Sequence, residues 1–135
     1  MSLFEECKEA LKDDFQICEN TEEVLFKLKK YPMSLNFILW SHMHFKDFDD
    51  MALLTEEVQD YQNEKVFVIA DDNDIPIFSS SLKTIIENIY DVMALSPKVI
   101  IFNEKIILEP LFPSYTMRAS FDILPPLSTS PSGGF

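Results

Sequence analysis

Glycine is almost missing: the only two, Gly133 and Gly134, stand at the extreme C-terminus. Residues 1–132 therefore hold no glycine-rich turn to bring backbone amides against a phosphate, which excludes P-loop and dinucleotide-binding readings, and no G-x-S-x-G nucleophile elbow is present. Arginine is as scarce. One arginine, Arg118, in a chain of net charge −12 and pI near 4.4 excludes the clustered bases that nucleic acid and anionic lipid require. Two cysteines, Cys7 and Cys18, are too few for a disulfide framework, and a reducing cytosol keeps them as thiols. No apolar run approaches the roughly 18 to 20 residues that span a bilayer, and "MSLFEECKEALKDD" has acids where a secretory signal has a basic start and an apolar centre. The expectation is a soluble cytoplasmic protein with neither a nucleic acid nor a membrane as partner.

What is present is apolar enough for a core: 47% of 135 residues are hydrophobic, the size of one domain. In "LFEECKEALKDDF", Leu3, Phe4, Cys7, Ala10, Leu11 and Phe15 recur at helical spacing and place Cys7 on the apolar side as an inert core thiol. "NTEEVLFKLKKYP" predicts a second short helix, capped by Asn20 or Thr21 and stopped at Pro32. "SLNFILWSHMHF" reads as a central strand, with Asn36, Ile38, Trp40, His42 and His44 on one face and Phe37, Leu39, Ser41, Met43 and Phe45 on the other. A helix then follows a cap at Asp47, Asp49 or Asp50, with Met51, Leu54, Val58 and Tyr61 as its stripe. "KVFVIA" and "IPIF" flank the turn "DDND" as strands, Pro76 suggesting an edge or a bulge.

The serines Ser79 to Ser81 read as caps for a helix over 81–95, and "KVIIF", "NE" and "KIILEP" as a second, buried hairpin. "YTMRASF" adds a further strand. The predicted fold is one α+β domain over 1–122: a mainly antiparallel sheet of about five strands, with N-terminal helices and the 81–95 helix packed on it. From Ile123 to Phe135 the Pro, Ser and Gly content is that of a flexible tail.

Chemistry-bearing groups are few. His42 and His44 form an H-x-H pair that a strand would aim at one face, where a Zn²⁺ or Fe²⁺ could take a third ligand from Asp47, Asp49 or Asp50. They are the only histidines, and a hydrogen-bonded structural role accounts for them better. "DDND" has carboxylates for calcium but lacks the glycine and the bidentate glutamate of a calcium loop, so a solvated turn explains it better. No local signature pairs a cysteine or serine with a histidine. The expectation is a protein without cofactor or bound metal that is not an enzyme.

The most informative feature is charge. From Asp47 to Asp74 ten acids (Asp47, Asp49, Asp50, Glu56, Glu57, Asp60, Glu64, Asp71, Asp72 and Asp74) meet one base, Lys65. They can be the wet faces of a helix and a turn and nothing more. Yet so much charge of one sign repels itself, and a basic partner surface would relieve that repulsion. The block is therefore read as a partner-binding patch, with Trp40, Tyr61 or Phe48, if exposed beside it, as the anchoring contact.

A small, acidic, glycine-poor α+β chain resembles the bacterial immunity proteins and antitoxins that neutralise toxins. More locally "KVFVIADDNDIPIFSSSLKTIIENIYDVM", Lys65 to Met93, looks like the strand, turn, strand and serine-capped helix of the SUKH superfamily of immunity proteins. The resemblance implies a stoichiometric inhibitor without catalytic residues; taken with the acidic block, the reading is a protein that binds and neutralises a basic cognate toxin domain, a nuclease. Two other readings stand beside it: a small metal-dependent enzyme built on His42 and His44, and an adaptor or assembly subunit that docks through its hydrophobic C-terminal hairpin.

Overall fold

The computed structural model describes residues 2–35 and 37–121, and the chain enters its fold through a capped helix. In α1 (Leu3–Ala10) the Ser2 hydroxyl accepts the Glu5 N–H at 3.1 Å, and Glu5 and Glu6 lie in the positive first turn. Cys7 and Leu11 are wholly buried, while Phe4 and Phe15 close on Phe78 with ring centroids 6.1 and 5.0 Å away. After β1 (Gln16–Ile17), α2 (Thr21–Leu28) starts at Asn20, whose side chain accepts the Glu23 N–H at 3.1 Å. Next come a small hairpin of β2 (Met33–Ser34) and β3 (Phe37–Ile38), a 3₁₀ turn at Trp40–His42, and β4 (Lys46–Phe48).

Asp50 caps α3 (Met51–Glu57) through the Ala52 N–H at 2.8 Å, and a second 3₁₀ turn (Gln59–Tyr61) leads into β5 (Lys65–Ala70). β6 (Phe78–Ser81), α4 (Leu82–Glu87), α5 (Ile89–Met93), β7 (Val99–Phe102), β8 (Ile106–Pro110) and β9 (Met117–Phe121) complete the described chain. The main sheet has seven strands in the order β1-β6-β5-β7-β8-β9-β4, every neighbouring pair antiparallel.

Both faces of this sheet are covered. Val66, Val68, Phe78, Ile101, Ile106, Leu108 and Met117 pack under α1, α3, α4 and α5 with Leu54, Leu82, Ile85 and Val92. Ile100, Phe102 and Ile107 point the other way, under Val24 and Leu28 of α2 and under Ile38 and Trp40. Burial on both faces is why β7 and β8 read as continuous apolar runs instead of alternating. The turn between them is closed by Asn103, whose side-chain oxygen accepts the N–H groups of Lys105 and Ile106 at 2.8 and 3.1 Å.

The α+β class and the mainly antiparallel sheet match expectation; several elements do not. Of the predicted strand through Phe45, only Phe37–Ile38 forms one, paired with β2 outside the main sheet. That stretch lies on the sheet as a covering layer, made of β3, the 3₁₀ turn and an irregular run to β4, with residue 36 itself outside the described set. It buries apolar side chains at irregular spacing against one surface, which strand alternation imitates. Its hairpin turns at Leu35, whose φ of 56° is left-handed and costs about 1 kcal/mol in a residue with a Cβ.

Two short strands, β1 and β4, were not anticipated and raise the main sheet to seven. The return strand begins at Phe78, not Ile75. Pro76 therefore precedes it and removes no ladder hydrogen bond, and β6 lies inside the sheet between β1 and β5. Of the three serines only Ser81 caps, accepting the Thr84 N–H at 3.2 Å; Ser79 and Ser80 are buried strand residues. The 81–95 helix is broken at Asn88, whose side chain donates back to the Thr84 carbonyl at 2.9 Å. The predicted tail from Ile123 lies outside the described residues.

One carboxylate ties this serine corner to α1. Asp14 accepts from the Ser80 hydroxyl, from the Ser81 N–H at 3.2 Å and from the Thr84 hydroxyl at 3.2 Å. Burial alone would raise its pKa, but these hydrogen bonds outweigh burial and hold it below the usual carboxylate range. A lowered folded-state pKa stabilises above the unfolded value and is lost as pH falls through the folded one. Asp14→Asn is expected to cost about 1 kcal/mol at pH 7, solvent screening of this exposed group keeping the figure small, and to flatten the loss of stability below about pH 4. Denaturant titrations of both proteins between pH 3 and 7 check this.

Candidate partner-binding surface

The ten acids do not form one surface. β5 separates Glu64, at its start, from Asp71, Asp72 and Asp74 in the turn beyond its end, about 20 Å for a strand of this length. Strand register decides which acids share an end. Ala70 faces Val99, Ile101 faces Leu108, Pro110 faces Met117, and Met117 faces Phe48. The Asp71–Asp74 turn, the β8–β9 loop and the Asp49–Asp50 junction therefore lie along one end of the sheet. β5 and β4 are four strand spacings apart, so the two acid groups there stand about 19 Å from each other.

Three of the ten are neutralised inside the fold. Asp47 holds the lone arginine in a fork, Arg118 Nε to Oδ1 at 2.8 Å and Nη2 to Oδ2 at 3.0 Å, and the guanidinium lies 4.2 Å from the Phe45 ring centre. Asp47 hydrogen bonding raises the arginine pKa further. Glu57 pairs with Lys46 at 2.8 Å and Glu64 with Lys105 at 3.0 Å. Among the described residues no ion pair reaches Asp49, Asp50, Glu56 or Asp60. Asp49 accepts from the Thr116 hydroxyl, Asp50 caps α3, and Asp72 accepts the Asp74 N–H at 2.9 Å, none of which brings positive charge. Glu56 and Asp60 are exposed and reach no base among the described residues.

The expected aromatic anchors are absent from this surface: Trp40, Tyr61 and Phe48 are all buried. Trp40 instead donates its Nε1–H to Glu109 Oε1 at 2.7 Å, under the covering layer. The exposed apolar residue amid the acids is Leu53, one helical turn from both Asp49 and Asp50 on one side and from Glu56 and Glu57 on the other. Periodicity could have found it, since it falls off the Met51, Leu54, Val58 stripe.

His42 ends a 3₁₀ turn and His44 follows in irregular chain, so the strand geometry that would aim both at one ion is missing. Among the described residues no group of three or more His, Cys, Asp or Glu is arranged to hold a metal. The hairpin of β7 and β8 lies in the middle of the sheet with its apolar side chains in the two cores, so it cannot be the docking surface of an adaptor. No described helix is long and apolar enough to cross a membrane.

The described residues also form grooves. One of about 770 Å³ runs beneath the start of α2, where Glu19, Glu23, Glu64 and Glu104 mix with Lys27, Lys65 and Lys105 and largely compensate them. Another, of about 370 Å³, has an apolar floor of Leu28, Met33, Ile69 and Ile100 and a rim shared by Asp71, Asp72, Lys29 and Lys98.

Residues 1–119 match the family described as CdiI immunity protein, EcoliA0-like. The chain belongs to that family. The match carries the immunity reading well beyond Lys65 to Met93, through the N-terminal helices and most of the last strand. No match is found among curated proteins. The immunity protein is thus a toxin-neutralising protein by family.

Two outcomes follow from the geometry. Arg118→Lys should cost about 1–2 kcal/mol, because an ammonium can neither fork Asp47 nor stack on Phe45, and thermal unfolding of the variant measures it. Burial, and after it the charge of Asp91, pushes the Cys7 thiol up to about 12; burial also raises Cys18, against a Ser79 hydrogen bond and Lys65. A thiol reagent at pH 8 should therefore label Cys18 alone in the native immunity protein and Cys7 only after denaturation, as mass spectrometry of the labelled peptides reports.

Proposed function

We propose that this immunity protein neutralises a basic cognate toxin domain, a nuclease, by stoichiometric binding in the cytoplasm, with carboxylates standing where the toxin's cleft would take phosphates. The observation that carries the reading is the run of exposed carboxylates along the β4–α3 side that have no basic partner among the described residues: Asp49, Asp50, Glu56 and Asp60, with the exposed Leu53 between them. Asp71, Asp72 and Asp74 extend the negative field along the same sheet end. Asp47, Glu57 and Glu64, already paired, hold the surface in shape.

In such a complex, complementary charge accelerates encounter and makes it sensitive to salt, while no bond is made or broken. The partner is to be recovered by co-purification with the full chain from its host, identified by mass spectrometry, and prepared as a catalytically inactivated domain. Replacing Asp49, Asp50 and Asp60 by Asn and Glu56 by Gln together should slow association about ten-fold at low salt and flatten its salt dependence. The same change at Glu5, Glu6 and Glu9 of α1 should do much less. Stopped-flow binding across a salt series decides it: equal effects from both sets would reduce the patch to general charge, and no effect from either would remove it.

A further inference from the structure

Charge steers encounter, but lifetime in a complex comes from desolvated anchors, and the anchors expected from sequence are in the core. The sheet end that carries Asp49 and Asp50 presents others. The β8–β9 loop, closed by Leu111 N–H to the Thr116 carbonyl and Ser114 N–H to the Leu111 carbonyl, both at 2.9 Å, holds Phe112 and Tyr115 in solvent at 65% and 64% exposure. Tyr115 meets Tyr90 of α5, itself 63% exposed, edge to face with centroids 5.3 Å apart. Thr116, the next residue, donates its hydroxyl to Asp49. The Tyr90–Tyr115 ring pair therefore stands one residue from the contact with Asp49, and Phe112 is exposed in the same loop.

The bases nearest in the chain, Lys46 and Arg118, are paired with Glu57 and Asp47. The segments Asp49–Glu57, Glu87–Ser96 and Leu111–Thr116, which meet at this place, contain no lysine or arginine. The apolar groove beside the β2–β3 hairpin differs in this respect: Lys29 and Lys98 stand on its rim, and Lys98 Nζ already lies 3.8 Å from the centre of the Phe37 ring. Tyrosine rings attract a cation to their faces, and neighbouring carboxylates satisfy its N–H groups, so rings and acids together suit lysine or arginine better than either alone.

We propose that Tyr90, Phe112 and Tyr115, with Asp49 and Asp50 beside them, form the anchoring platform on which the toxin domain seats a lysine or arginine side chain. This rests on the reading of the chain as the binder of a basic toxin and adds where the complex is held. The roughly 19 Å from Asp49 to the Asp71–Asp74 turn lies within the span of a standard interface, about 800 Å² per partner, so both acid groups can flank one toxin centred on the loop.

Tyr90→Ser and Tyr115→Ser, each confirmed folded by circular dichroism, are compared with the wild-type chain for binding of the inactivated toxin domain by surface plasmon resonance. Each should raise the dissociation rate about thirty-fold with little change in association rate, Tyr90→Phe and Tyr115→Phe should restore it, and Leu35→Ser at the other groove should leave it unaltered. Unchanged dissociation in the Ser variants, with association still slowed by the acid substitutions, would overturn the platform and leave the acidic reading standing. Loss of affinity in Leu35→Ser alone would move the anchor to the groove and overturn it equally. Sedimentation that shows the wild-type chain self-associating, and the Ser variants not, would assign the rings to a second copy of the chain. If the wild-type chain does not bind the toxin at all, the functional reading itself fails.

Discussion

The central strands are apolar on both sides, and most of the architecture answers that constraint. Val99–Phe102 and Ile106–Pro110 alternate their side chains into two cores, so the sheet must be covered twice. On one face α1, α3, α4 and α5 supply the cover. On the other, among the described residues, α2 is the only α-helix, and the remainder is assembled from the β2–β3 hairpin, a 3₁₀ turn and the run to β4. Irregular backbone is tolerated there because Trp40, Ile38 and Met33 need only reach one surface. The strained turn at Leu35 shows how little choice the chain has: with no glycine before Gly133, a residue with a side chain takes the left-handed conformation.

Double coverage also confines the charges to rims and helix faces, where long-range pairing sorts them. Arg118, Lys46 and Lys105 each approach a carboxylate distant in the chain, and the acids they reach lose their reach into solvent potential. The two lysine pairs, exposed and held by a single contact each, are worth little in stability. Their larger effect is on the shape of the field: among the described residues Asp49, Asp50, Glu56 and Asp60, on the α3 side and its sheet end, are left without an ion pair, while Asp71 and Asp72 share a rim with Lys29 and Lys98. That sheet end also carries the exposed rings of the β8–β9 loop, so the apolar and negative features of the surface coincide without sharing a sequence segment.

Much of the fold was legible. The caps at Asn20, Asp50 and Ser81, the buried stripe Leu54, Val58 and Tyr61, the β5 strand and the β7–β8 hairpin are all causes acting within about four residues. The candidate site was legible only as composition. Helical spacing could place Leu53 on the wet face of α3, but nothing local could say that Tyr90 meets Tyr115, or that Trp40 turns inward to Glu109.

By itself the sequence determined the class of protein: acidic, arginine-poor, without phosphate-binding glycines, with helices and strands whose signals are local hydrogen bonds and periodic burial. Tertiary structure alone decided that residues 37–45 cover the sheet instead of joining it, that Asp47 is matched to an arginine 71 residues away, and which carboxylates keep their charge facing water. The reason is the range of the forces. A cap or an apolar stripe is settled by neighbours along the chain, whereas a charge is free or neutralised, and a ring buried or offered, according to what packing brings beside it from elsewhere.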